Sequence, residues 1–118
     1  MRPWRLKRTR QCALCPWRQD VNPHTIPHGY SVERHQALRE TIAPPADVSA
    51  LLAGTPLRVM ACHETEAAPC LGWLMHQLGP GNNLALRLRV LSCTNLGQVR
   101  LVGPQHATFE ATLPREAC

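Results

Sequence analysis

The sequence has no long apolar run and no apolar segment that would serve as the core of a secretory signal. Its N-terminal basic residues lead instead into Gln-Cys-Ala-Leu-Cys-Pro-Trp-Arg, and no stretch approaches the roughly 18 apolar residues of a membrane span. Structural disulfides form in the oxidising compartments to which such signals direct a chain. We therefore expect a cytoplasmic protein that contacts no membrane and keeps its six cysteines reduced.

Aromatic residues are scarce, which limits the hydrophobic core. Only five of the 118 residues are aromatic, whereas eleven are proline, about twice the average share. The hydrophobic share of 44% is nonetheless that of an ordinary globular protein and argues against wholesale disorder. A domain of this length buries only about two-thirds of its chain surface. We therefore expect one small domain with a modest core that a cross-link would stabilise.

Motifs of the common enzyme classes are also missing. The sequence contains no P-loop, G-x-S-x-G, H-E-x-x-H or dinucleotide-binding fingerprint. The segment from Cys62 to Glu64 is partly similar to a zinc deaminase motif, but Trp73 stands where the last ligand cysteine of that motif is required. Cys12 and Cys15 lack the preceding strand of a thioredoxin-like site. No small-molecule substrate is indicated, and a non-catalytic protein is favoured over an unrecognised enzyme.

Acidic residues are absent from the first 19 positions, where basic residues are concentrated. Residues 1–20 contain six basic side chains and one acid, whereas residues 21–118 contain seven of each. A basic segment beside a neutral domain favours contact with phosphate groups or an acidic partner. We predict a flexible basic arm over residues 1–10, with no apolar face to bury, and a single metal-stapled domain over residues 11–118. The candidate nucleic-acid-binding residues are Arg2, Arg5, Lys7, Arg8, Arg10 and Arg18. Arg87 and Arg89 are further candidates outside the arm.

Periodicity and end signals predict up to four short helices and one strand. Apolar residues recur at helical spacing over 32–42 and 46–53. Residues 69–79 begin with proline and end with glycine, the arrangement of a third helix. Residues 56–61 alternate as a strand does, and residues 83–92 fit a strand or a helix, of which we favour the helix. The predicted fold class is α+β, a small single domain with short helices around a minimal sheet, stapled by a metal site of four cysteines.

Four cysteines have the spacing of a metal site. Cys12 and Cys15 form a C-x-x-C turn, which places two thiolates on one divalent metal while the amides of the turn hydrogen-bond the sulfurs. Cys62 and Cys70 follow, at the end of the predicted strand and in the first turn of the third helix, where free N–H groups favour a thiolate. His63 either replaces Cys62 as a ligand or hydrogen-bonds a ligand thiolate. Since neighbours on a strand point to opposite sides, we rank Cys62 first.

The ligand set leaves the identity of the metal open. Four thiolates suit tetrahedral Zn²⁺, which we favour, and they also suit a [4Fe-4S] or [2Fe-2S] cluster. Trp17 and Trp73 each follow a ligand closely, and either shield a cluster from water or supply the large side chains of a small core. The remaining histidines, Cys93 and Cys118 have no neighbour at ligand spacing, so we do not place them at the metal.

Three blocks of this sequence resemble one family. Cys12-x-x-Cys15-Pro16-Trp17-Arg18, Cys62-His63 and Cys70-x-Gly72-Trp73 are similar to the cysteine motifs of an uncharacterised family of small proteins from bacteriophages and bacteria. The resemblance implies a metal site and a phage-like origin, and it implies no activity. Within these blocks, we expect Gly72 to let the third helix approach the C-x-x-C turn. We expect Arg18 to pack on Trp17 or to pair with a carboxylate or phosphate.

These features favour a non-catalytic, zinc-stapled protein of phage or bacterial origin that binds nucleic acid or a host protein. If a phage encodes it, its compartment is the host cytosol. The alternative is a redox or sensor protein in which the same four cysteines hold an iron–sulfur cluster.

Overall fold

Short helices make up the fold. The computed structural model describes residues 4–21, 31–62 and 68–113. None of the helices in these ranges is long and apolar enough to cross a membrane. The α-helices, numbered in chain order, are α1 (Val32–Ala37), α2 (Val48–Leu52), α3 (Leu71–Leu78), α4 (Leu84–Arg89) and α5 (Phe109–Thr112), and 3-10 turns cover Leu38–Thr41, Val90–Ser92 and Leu96–Gln98.

Side-chain caps explain where four of the helices begin. Ser31, Asp47, Asn83 and Thr108 each accept a hydrogen bond from the backbone N–H three residues later, at 3.1 to 3.2 Å. Each cap satisfies one of the free N–H groups of a first helical turn. The four predicted helices are confirmed as α1 to α4, although α3 begins two residues after Pro69. The fifth helix, α5, was not predicted.

The α+β fold class and the predicted strand are wrong. The described ranges contain isolated β-bridges but no strand or sheet, and residues 56–61 contribute a single antiparallel bridge, between Ala61 and Pro69. Two backbone hydrogen bonds flank this bridge, at 2.7 and 2.8 Å. The pairing does not extend beyond Cys70, because the chain enters α3 at Leu71. Alternation alone does not make a strand when no partner of similar length is available.

Helix α3 lies in the core. Its residues Trp73 and Leu74 are fully buried, as are Trp17 and Leu86 from other parts of the chain. The indole N–H of Trp73 donates to the backbone carbonyl of Thr41 at 2.9 Å, which ties α3 to the turn that follows α1. Two large tryptophans thus compensate for the small number of aromatic residues, and the prediction that they fill a small core is confirmed.

Residues 4–10 lie alongside residues 92–100. Two isolated parallel bridges join the segments, and the Asn95 side chain bonds both backbone groups of Leu6, at 2.8 and 3.0 Å. The side chain of Leu6 is buried, at 3% exposure. The expectation that this part of the arm has no apolar face to bury is therefore wrong: one leucine among its basic residues reaches the core. The mobility predicted for residues 1–10 stays a prediction.

Candidate metal centre

Cys12 and Cys15 lie in a tight turn that buries both side chains. The N–H of Cys15 donates to the carbonyl of Cys12 at 3.3 Å, and the N–H of Arg18 donates to the carbonyl of Cys15 at 3.1 Å. The two cysteines are 4% and 0% exposed. The thiol of Cys12 hydrogen-bonds the sulfur of Cys15. The spacing of the C-x-x-C motif therefore brings two thiols together, as the sequence predicts.

Cys70 brings a third thiol to the same place from 55 residues further along the chain. The Sγ atoms of Cys15 and Cys70 lie 3.6 Å apart, far beyond the disulfide bond length of about 2.05 Å. All three cysteines are free thiols. Cys70 is positioned by the start of α3, where its carbonyl accepts a hydrogen bond from the N–H of Leu74 at 2.9 Å. We refer to Cys12, Cys15 and Cys70 as the thiol cluster.

Gly72 makes the contact between α3 and the C-x-x-C turn possible. A Cβ atom at this position would lie 2.4 Å from the Cβ of Trp17 and 3.0 Å from the Sγ of Cys15. Real Cβ atoms do not approach another carbon so closely, so any larger residue would push the helix away from the turn. The expected close approach at Gly72 is confirmed.

The three thiols of the cluster differ in acidity. Hydrogen bonds from Cys12 and Cys70 hold the pKa of the Cys15 thiol well below its ordinary value. The hydrogen bond with Cys15, together with burial, raises the pKa of Cys70 well above its ordinary value. The cluster therefore carries its first negative charge on Cys15, which hydrogen-bonds both of the other thiols. A thiolate is the form of cysteine that binds metals.

Arg18 lies beside the turn and is held by two acceptors. Its guanidinium donates to the Asp20 carboxylate at 2.8 and 3.0 Å and to the carbonyl of Ala13 at 3.0 Å. The hydrogen bond with Asp20 raises the pKa of Arg18, and the charges of Cys15 and Cys12 contribute less. The expectation that Arg18 pairs with a carboxylate is confirmed. It is thereby held against the loop that carries the first two cysteines.

Cys62 does not complete a site with the thiol cluster. It is half-buried and packs against the core. In the ranges that the structure describes, no group of three or more His, Cys, Asp or Glu side chains is arranged to hold a metal ion. His63, the alternative ligand, lies outside the described residues, as do Arg2 and Cys118. The thiol of Cys93 donates to the side chain of Asn95 at 3.7 Å.

His76 is a neighbour of the site that the sequence did not reveal. Its imidazole stacks on Trp17 with ring centroids 4.6 Å apart, and its Nε2–H donates to the carbonyl of Ala107 at 2.9 Å. Burial lowers the pKa of His76, which favours the neutral ring. Helical spacing places His76 one turn after Trp73 on α3. No local pattern in the sequence connects His76 to Trp17, which lies 59 positions earlier.

The predicted basic residues separate into two places. Arg18 stands at the cysteine turn, whereas Arg5, Lys7 and Arg10 are exposed on residues 4–10. Arg8 is half-buried, and its Nε–H donates to the carbonyl of Arg10 at 2.6 Å.

Two arginines from the part of the chain with balanced charge lie next to this segment. The N–H of Arg100 donates to the carbonyl of Thr9 at 2.7 Å, and the guanidinium of Arg89 lies over the ring of Trp4 at 4.8 Å. Arg89 was a candidate from the sequence, whereas Arg100 was not predicted, because the charges of residues 21–118 balance. We refer to Arg5, Lys7, Arg10, Arg89 and Arg100 as the basic ridge.

A small helical protein with a buried cluster of free thiols is the class that this geometry defines. The model of the DUF6283 family, a family of unknown function, matches residues 7–110. The chain therefore belongs to that family, which agrees with the predicted resemblance to an uncharacterised family. No curated protein and no solved structure matches the chain.

Proposed function

We propose that this chain is a small, non-catalytic zinc-binding protein that holds one Zn²⁺ through Cys12, Cys15, Cys62 and Cys70 and binds nucleic acid or a host protein. The proposed setting is the cytosol of a bacterium or of a phage-infected cell, because reducing conditions keep the thiols free for the metal. When bound, the zinc supplies a cross-link between residues 12–15 and 62–70. The residues around it bury that cross-link.

The separation of the Cys15 and Cys70 sulfurs carries the proposal. Two thiolates on one tetrahedral Zn²⁺ with bonds of about 2.3 Å lie about 3.8 Å apart. The observed distance is 3.6 Å, between residues that are 55 positions apart and buried without a disulfide. Cys12 adds a third sulfur by its contact with Cys15. Three buried thiols joined through Cys15 are a donor set that suits zinc.

The local pairing favours Cys62 over His63 as the fourth ligand. The Ala61–Pro69 bridge is antiparallel, so Cys62 lies opposite Ala68 and Met60 lies opposite Cys70. Residues directly opposite each other, and residues two apart on one extended segment, share a face. Cys62 is therefore on the same inward face as Cys70.

Metal analysis of protein purified without oxygen tests this proposal. We expect one zinc per chain and a colourless sample. In a [4Fe-4S] cluster each thiolate binds a different iron, so its ligand sulfurs lie further apart than two that share one metal. A brown sample with iron and inorganic sulfide would contradict the zinc proposal and support the redox alternative. Absence of any metal after anaerobic purification would contradict both.

Matched cysteine variants locate the ligands. We expect Cys15→Ser and Cys62→Ser to lose stoichiometric zinc, and Cys93→Ser, which alters a half-buried cysteine outside the cluster, to keep it. A His63→Gln variant distinguishes the two candidates for the fourth position. If Cys62→Ser keeps its zinc and His63→Gln loses it, the ligands are three cysteines and one histidine. If Cys15→Ser keeps full zinc content, the proposed site is wrong.

A further inference from the structure

A groove beside the basic ridge combines an aromatic ring, apolar walls and positive charge. Its volume is about 510 Å³, and its lining includes Trp4, Arg89, Leu57, Val59 and Pro69. Clefts that bind small organic groups have volumes of about 300–1,000 Å³. The groove is therefore large enough to take a planar ring such as a nucleobase.

Trp4 and Arg89 place an indole ring and a cationic guanidinium in contact in this groove. The Arg89 guanidinium lies over the indole ring at 4.8 Å, and the same arginine donates to the hydroxyl of Ser92. Trp4 is fixed through its backbone: its N–H donates to the carbonyl of Ser92 at 2.8 Å, and its carbonyl accepts from Thr94 at 2.7 Å. Nucleobases stack on indole rings and on guanidinium planes alike.

The charge around the groove selects a polyanion. Arg5, Lys7 and Arg10 are exposed on one segment, and Arg100 is exposed on the segment beside it. No ion pair within the described ranges involves any of these four side chains. The sequence contains no acidic residue from position 68 to position 109. A partner that places phosphates along the basic ridge and a flat ring in the groove fits both features.

We propose that this surface binds single-stranded nucleic acid, with one base stacked on the Trp4–Arg89 pair and its phosphates along Arg5, Lys7, Arg10 and Arg100. This proposal deepens the binding part of the proposed function and rests on it. A base within a duplex already stacks on its neighbours and cannot enter the groove. Stacking is sequence-tolerant because every base has a π face, so the preference is for single strands over duplexes and not for one sequence.

Fluorescence and anisotropy titrations of the full chain test the proposal. The probes are a labelled oligothymidine of roughly 16 nucleotides and the same strand paired with its complement, at about 50 mM salt. We expect tighter binding of the single strand and quenching of tryptophan fluorescence. Trp17 and Trp73 are only 1% and 0% exposed, so quenching reports on Trp4.

Side-chain variants separate stacking from charge. We expect Trp4→Leu to weaken single-strand binding about tenfold and Trp4→Phe to weaken it less, since a phenyl ring still stacks. Lys7→Gln should reduce the slope of log affinity against log salt by about 0.7. Arg34→Gln on α1 removes an exposed charge that is not part of the basic ridge and should leave the slope unchanged. Arg89→Gln is a second variant that removes part of the stacking pair. The melting temperature of every variant shows whether weaker binding comes from a lost contact or from lost folding.

Three results would overturn the inference. The first is equal or tighter binding of the duplex, and the second is unchanged binding by folded Trp4→Leu and Arg89→Gln. The third is no binding of any oligonucleotide at about 50 mM salt, which would leave a host protein as the partner of this surface. Zinc content measured on the same samples separates the proposals. Metal without nucleic-acid binding rejects only this inference, and single-strand binding without metal rejects only the zinc site.

Discussion

The thiol cluster and the basic ridge are built on opposite principles. In the thiol cluster every side chain is buried and Gly72 leaves no room for a methyl group beside Trp17. In the basic ridge Arg5, Lys7, Arg10 and Arg100 face water, and the segment is held by its backbone and by one buried leucine. Stability therefore depends on the first region, whereas substitutions on the second can change binding without unfolding the protein. The difference can be tested by comparing stability losses in the two regions.

Removal of the metal gives the largest expected effect. Structural zinc contributes on the order of 10 kcal/mol in small domains, comparable to the whole stability of a protein of this size. We expect strong chelation or Cys15→Ser to unfold the protein or cause aggregation, as measured by circular dichroism and thermal melting. Native melting behaviour of the Cys15→Ser variant would mean that packing alone holds the thiol cluster together.

Gly72→Ala is expected to give the next largest loss. The added Cβ would meet the Cβ of Trp17 at 2.4 Å, and overpacking of this kind costs about 3 kcal/mol. A loss of that size lowers the melting temperature by about 10 °C or more in a domain of this length. Gly97→Ala is the matched control, because a Cβ there meets nothing within 4 Å. Equal melting temperatures for the two variants would show that α3 does not need its close approach to the turn.

Leu6→Ala tests the one apolar contact of the basic ridge segment. Leu6 is 3% exposed, and truncation of a buried leucine costs about 2 kcal/mol or more. We expect a lower midpoint in urea denaturation, whereas Leu52→Ala, at a position 82% exposed, should leave the midpoint unchanged. If Leu6→Ala is as stable as the parent chain, residues 4–10 act as the mobile arm that the sequence predicts.

The smallest expected effect is a pH dependence from His35. Burial lowers the pKa of this histidine, whose Nε2 lies 3.0 Å from the Thr112 hydroxyl. Because the unfolded chain then binds the proton more readily, stability is complete above about pH 6.5 and falls as the pH drops through the folded pKa. Each unit by which folding lowers the pKa corresponds to about 1.4 kcal/mol in the free energy of unfolding. We expect the urea midpoint to decrease as the pH is lowered below about 6.5. His35→Gln should make this decrease with pH shallower, and His76, whose pKa is also lowered, contributes to the decrease that is left.

The sequence determined the features that depend on neighbouring residues. Capping residues and helical periodicity predicted α1 to α4, because a cap acts on an N–H three residues away. The C-x-x-C spacing predicted the contact of Cys12 with Cys15, and the arrival of Cys70 beside them followed from treating the four cysteines as one set. Gly72 was also predictable, because only glycine permits a contact of this kind beside a large side chain.

Tertiary structure decided what depends on distant partners. The alternation of residues 56–61 gave no strand, because the partner segment in the described part of the chain enters α3 two residues after Pro69. Leu6 is buried and Arg89 lies over Trp4 because residues 4–10 pack beside residues 92–100, some 90 positions later in the chain. Averaging charge along the chain hid the basic ridge, since only folding places these two segments together. Local rules set the helices and the cysteine turn, and long-range packing decided which of their surfaces meet and which face water.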